Sequence, residues 1–231
     1  MTDADPGEIG TKKQAAEDGD PEAAFWMYLF YTYCMPGPIN DWQLDAHLAR
    51  AQKSLDNWLE NNPDEDLPEW LANRLDSIDH RFRMCQGIDP EANVAGMALA
   101  WLEAAADTGH VPARFGYYSM AANLITNLGN GFGFPEPHVI ETYRNKTRSY
   151  VGAIFEMEHP DRFFLMAQIM ANGIAFDSDP SEAYAYAHAA VLSNSPSSER
   201  AQALIGFLEM QVSPQEREVA RSLAEDLLQI D

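Results

Sequence analysis

Six histidines are the side chains in this sequence most able to do varied chemistry: His47, His80, His110, His138, His159 and His188. None stands at HExxH spacing, and none pairs with a cysteine at zinc-ligand spacing. His110 follows a helix-ending glycine and reads as a turn residue, while His188 lies among alanines and reads as a packed or exposed helical residue. No GxSxG nucleophile elbow and no GxxxxGK[ST] phosphate loop occurs. The run Gly129-Asn130-Gly131-Phe132-Gly133 is glycine-rich but follows no strand and ends in no lysine, so it reads as a turn. A contact loop presenting Phe132 is the alternative. Asp64-Glu65-Asp66 and the pair Asp76/Asp79 could act as acid and base only if they shared a pocket; a solvated rim is the stronger reading. The 64–66 run could also serve as a negative patch for a basic partner. These patterns lead us to expect no catalytic site, no metal and no cofactor.

The remaining candidates are contact residues. Trp26, Phe30 and Tyr33 stand at i, i+4 and i+7, one helix stripe. Two readings are open: packing at the end of the molecule, which we prefer, or an aromatic patch of the kind that dominates binding hot spots. Tyr117 and Tyr118 join the candidate contact set. Arg144, Lys146 and Arg148 form a dense basic cluster, for which pairing with the acidic surface is preferred over an anion contact.

The elements that must position these residues are helices. Alanine is abundant, apolar residues recur at helical spacing and no period-2 alternation appears. Asp20-Pro21-Glu22, Asp89-Pro90-Glu91, Asp179-Pro180-Ser181-Glu182 and Ser213-Pro214-Gln215-Glu216 read as helix starts, the last two as capping boxes. Gly37, Gly87, Gly109, Gly129 and Gly173 read as stops. The signals predict helices over 21–34, 42–60, 68–86, 91–107, 112–127, 137–157, 161–172, 180–193, 198–210 and 214–229. Residues 1–12 are expected to form a disordered arm, and 13–231 a single domain.

Of the residues, 46% are apolar, the ordinary share for a folded chain, while the net charge is −21 and the pI about 4.4. Such a surface repels nucleic-acid phosphates and anionic lipid and attracts basic partners. The first ten residues do not read as a signal peptide, and no apolar run approaches the roughly 20 residues of a membrane span. A cytoplasmic location is therefore expected, with Cys34 and Cys85 as buried free thiols.

Internal similarity is the strongest signal. Ala15–Tyr31 (AAEDGDPEAAFWMYLFY) aligns with Ala105–Ala121 (AADTGHVPARFGYYSMA) through an alanine pair, a glycine, a later alanine and an aromatic. Phe164–Gly173 matches the end of the same unit, followed by Asp179–Ala190. These units resemble the Sel1-like repeat, a relative of the tetratricopeptide helix-turn-helix class. Ala98–Leu102 before Ala105-Ala106, Asn172-Gly173, Glu182-Ala183-Tyr184 and the closing Ser213–Leu227 fit its pattern; the segment 36–95 fits poorly, and Tyr28 and Tyr118 stand where the family prefers glycine. The resemblance implies an all-α, right-handed α-solenoid of about five antiparallel helix pairs whose concave face binds extended partners. It also implies a protein-interaction module rather than an enzyme, with a basic partner suggested by the charge. A cognate inhibitor or immunity protein of a basic bacterial toxin is one form of that expectation. A hydrolase using carboxylates or histidines on the concave face, or an acidic nucleic-acid mimic, are the alternatives.

Overall fold

The structure, a computed structural model, describes residues 6–63, 65–128, 136–173 and 175–229. Among them it is all-α, with no strand. The chain divides into two compact units, Met1–Thr108 and Gly109–Asp231, where the sequence predicts one domain.

Unit 1 contains α1 (Pro6–Glu17), α2 (Pro21–Cys34), α3 (Asp41–Asn61), the single turn α4 (Glu69–Ala72), α5 (Arg74–Cys85) and α6 (Val94–Asp107). Its core is the crossing of α2 and α6. Ala23 and Ala24 of α2 and Ala95, Ala98, Ala105 and Ala106 of α6 are buried in this pair, and small side chains let the two backbones approach closely. α1 packs along α2 and buries Ala16. The segment expected to be a disordered arm is thus helical from Pro6. α3 packs on α5 but lies shallow, with Ala51 its one buried residue.

Three local expectations are corrected in this unit. The predicted 68–86 helix breaks at Asn73 into α4 and α5. The helix predicted to start at residue 91 starts at Val94: Asp89 Oδ1 accepts the Glu91 amide in a separate turn, and Asn93 Oδ1 caps α6 through the Gly96 amide. Cys34 and Cys85 are not free thiols but form a disulfide, joining the last residue of α2 to the last residue of α5.

Unit 2 contains α7 (Val111–Leu128), α8 (Pro137–Glu156), α9 (Arg162–Asn172), α10 (Pro180–Leu192), α11 (Ser198–Leu208) and α12 (Pro214–Leu227). α10 is its axis, packing on α9, α11 and α12. Ala183, Ala185, Ala187, Ala189 and Ala190 are fully buried along it. Phe163 and Phe164 pack with Ala189 and Ala190, and Ile205 and Leu208 with Ala183, Ala185 and Ala187, while Leu165 and Ile169 form a second cluster with Val151 and Ile154 of α8. The capping box predicted at Ser213 forms: Glu216 accepts the Ser213 amide at 2.8 Å and donates its own to Ser213 Oγ at 3.3 Å.

One turn recurs. At Gly19, Glu158 and Asn194 the helix ends in a left-handed residue (φ +96°, 50° and 53°). In each case that residue's amide reaches back three positions and the next amide reaches back five, as in Gly19 to Ala16 and Asp20 to Ala15. This is the Schellman arrangement. Gly109 shares the positive φ, +100°. The side chain that follows accepts an amide two or three residues on every time: Asp20 from Glu22 and Ala23, His110 from Ala113, His159 from Asp161, Ser195 from Ser197. Asp161 and Ser197, 36 residues apart and equivalent in this register, bond directly: the Ser197 amide donates to Asp161 Oδ1 at 3.0 Å, and Ser195 Oγ donates to the same oxygen.

Candidate functional site

The aromatic stripe on α2 does not form one exposed patch. Trp26, half-buried, stacks on Phe30 at 5.8 Å with the rings nearly parallel. Phe30 is buried, and Tyr33 carries the Arg81 guanidinium 4.7 Å from its ring centroid.

Phe30 leads to a cavity. Between α1, α2, the end of α5 and the start of α6 lies a space of about 520 Å³. Met27, Phe30, Tyr31, Met84, Ile88 and Met97 supply its apolar wall. Burial pushes the Tyr31 phenol above its ordinary pKa, so it is a neutral wall residue at pH 7. At the lining, Lys13 pairs with Glu17 at 3.8 Å and Arg83 with Asp79 at 2.9 Å, leaving Asp89 as the third charged group. The disulfide is what holds this site together. Cys34 ends the helix that carries Met27, Phe30 and Tyr31, and Cys85 lies between Met84 and the loop bearing Ile88. A volume of this size accepts an aromatic or branched side chain, and three methionines give it an adaptable lining.

The other expected contact residues lie apart from this cavity. Glu65 and Asp66 are exposed between α3 and α4, and Asp64 lies outside the described residues. Asp79, a candidate with Asp76 for an acid–base pair, is instead held by Arg83. Tyr117, in unit 2, is fully buried against Tyr143 and Tyr150 and is a core residue. Tyr118 is half-buried; its hydroxyl donates to Gln168 at 2.9 Å and its carbonyl accepts from the Tyr143 hydroxyl. Burial pushes the Tyr143 phenol up to about 12, so it stays a donor. Phe132 lies outside the described residues. Arg148 sits over the Phe176 ring at 5.4 Å. The histidines divide by role: His110 caps α7 through the Ala113 amide, His159 accepts the Asp161 amide in the turn before α9, and His188 packs against Tyr184 at 4.5 Å.

The structure adds residues with no separate signal in the sequence. On α12, Val219 and Leu223 stand one turn apart and exposed, while Arg217 turns back to the carbonyls of Val212 and Glu209. Among the described residues no group of three or more histidine, cysteine or acidic side chains is placed to hold a metal, and no helix is long and apolar enough to cross a membrane. Comparison of the chain with protein-family models, curated proteins and solved structures finds no match.

Proposed function

We propose that this chain is a protein-interaction module, an α-solenoid of Sel1-like repeats, that captures a basic partner protein by an apolar anchor side chain. The observation that carries the reading is the cavity of about 520 Å³ lined by Met27, Phe30, Tyr31, Met84, Ile88 and Met97. Its apolar wall suits an aliphatic or aromatic side chain, and the charge of −21 outside it attracts and orients a basic protein. The recurring turn at Gly19, Gly109, Glu158 and Asn194 supports the repeat architecture, since each instance joins a left-handed residue to a side chain that accepts an amide two or three residues on. The Cys34–Cys85 bond favours an oxidising compartment over the cytoplasm expected from composition. A cognate inhibitor or immunity protein of a basic bacterial toxin is the narrower form of this proposal.

The test is affinity capture on the full oxidised chain, comparing wild type with Met97→Trp, which fills the cavity without changing the charge. Wild type retains a basic protein at low salt and releases it at about 1 M salt, where the Debye length is about 3 Å. Met97→Trp loses it. Capture of nothing, together with turnover of a small substrate, overturns the reading in favour of an enzyme.

A further inference from the structure

A second cavity in unit 1, about 300 Å³, has the opposite character to the molecule around it. Pro36, Pro38, His47, Arg50, Arg74, Ser77, Ile78 and Arg81 line it. The chain has 36 acidic residues against 15 basic ones, yet three arginines and a histidine converge here with no carboxylate in the lining.

The convergence is built by the fold. Arg74, Ser77, Ile78 and Arg81 stand at i, i+3, i+4 and i+7 of α5, a single stripe, and His47 and Arg50 stand at i and i+3 of α3, the helix packed against it. Asp76 and Asp79 fall on the opposite side of α5 by the same helical geometry, and Asp79 is taken by Arg83. The third wall is the segment after α2, which the disulfide pins beside the end of α5. Its Gly37 lies flat against Arg81: a Cβ there would fall 2.2 Å from Arg81 Cδ. Arg81 is held between that backbone and the Tyr33 ring, with its Nε buried and unpartnered. Arg50 spends its Nε on the Ala46 carbonyl at 3.0 Å, which leaves its terminal nitrogens available. His47 is shifted below its ordinary pKa by burial and then by Arg50 and Arg81, as expected beside a positive field.

Like charges gathered on facing helices repel unless an anion lies between them. Guanidinium groups bind phosphate through paired N–H donors, and a dianion matches several converging cations better than a single carboxylate does. The pyrrolidine rings of Pro36 and Pro38 and the Ile78 side chain give the same pocket an apolar side. We infer that this pocket binds a small organic phosphomonoester, its phosphoryl group on Arg50, Arg74 and Arg81 and its carbon portion on Pro36, Pro38 and Ile78. The site is independent of the partner-binding cavity.

Titration calorimetry on the full oxidised chain tests this with inorganic phosphate and phenyl phosphate as probes. Wild type binds both saturably at one site, with phenyl phosphate tighter. Arg50→Gln and Arg74→Gln, both on exposed arms, each weaken binding roughly tenfold, the usual scale for loss of one charge-assisted hydrogen bond. Lys53→Gln, one turn beyond Arg50 on α3 and outside the pocket's lining, and Met97→Trp, in the other cavity, leave it unchanged. Absence of saturable binding to either probe overturns the inference. So does binding that survives both arginine variants, or binding that falls equally with Lys53→Gln, which would report only general charge.

Discussion

Unit 2 and unit 1 are made of the same kind of helix but hold together differently. In unit 2, α10 is an almost continuous line of buried alanines, and its neighbours close on it with Phe163, Phe164, Ile205 and Leu208. Adjacent turns there bond to each other through Asp161 and Ser197. In unit 1 the closest packing is that of α2 on α6, while the 21-residue α3 buries only Ala51. A disulfide spanning 51 positions joins α2 to α5 in place of that missing core. Both cavities described above flank this staple. The contrast teaches that the two cavities lie in the half that the disulfide spans, while the alanine-lined core lies in the other.

The largest test of that contrast is removal of the staple. For a loop of this length, chain entropy assigns the disulfide about 4 kcal/mol. Reduction, or the double variant Cys34→Ala/Cys85→Ala, is expected to lower the stability of residues 6–108 and spare 109–229, as read by hydrogen exchange along the chain. Equal loss in both halves would break the comparison. The converse change is Leu165→Ala, at a fully buried position of unit 2. It should cost about 3 kcal/mol, within the range for emptying a packed site, and raise exchange in unit 2. A cost under about 1 kcal/mol would show that unit 2 is less tightly packed than described.

A smaller effect sharpens the repeat. Glu158 occupies a left-handed position that favours glycine, so Glu158→Gly should stabilise unit 2 by about 0.5–1 kcal/mol. Asn194→Gly should gain less, because asparagine tolerates that conformation. Denaturant midpoints at constant slope measure both. The smallest effect is on pH dependence. Burial, followed by Arg221, holds the His188 imidazole below its ordinary 6.5, although Glu209 pulls the other way. The folded state therefore binds fewer protons than the unfolded state between its lowered pKa and about 6.5. The contribution of His188 is complete above pH 6.5 and declines as pH falls through that window. The difference in unfolding midpoint between wild type and His188→Gln should change between pH 7 and 5, and a constant difference would contradict the assignment.

Much of the helix pattern was legible in local chemistry. Asp20, Asp179 and Ser213 cap the helices their side chains announce. What escaped depended on distance or on an unusual residue. α1 was hidden by its polar composition and its two glycines, and it is visible only through its packing on α2. Two copies of the repeat turn were hidden because Glu158 and Asn194 replace the glycine that marks Gly19 and Gly109. The pairing of Cys34 with Cys85 depends on how α2 and α5 meet, which spacing alone does not encode. The same is true of the arginine pocket. Arg144, Lys146 and Arg148 stand out because they are neighbours in sequence, whereas Arg50, Arg74 and Arg81 become neighbours only when α5 packs on α3. Of the expected contact residues, Phe30 lines the apolar cavity, while Tyr117 belongs to the core.

The most direct test of the account is a hydrogen-exchange footprint of the full oxidised chain, measured with and without the basic partner protein proposed above. Protection centred on Met27–Tyr31 and Met84–Met97, and absent in Met97→Trp, is the predicted result. Protection confined to α12, or none in unit 1, would contradict the claim that the disulfide-held cavity receives the partner.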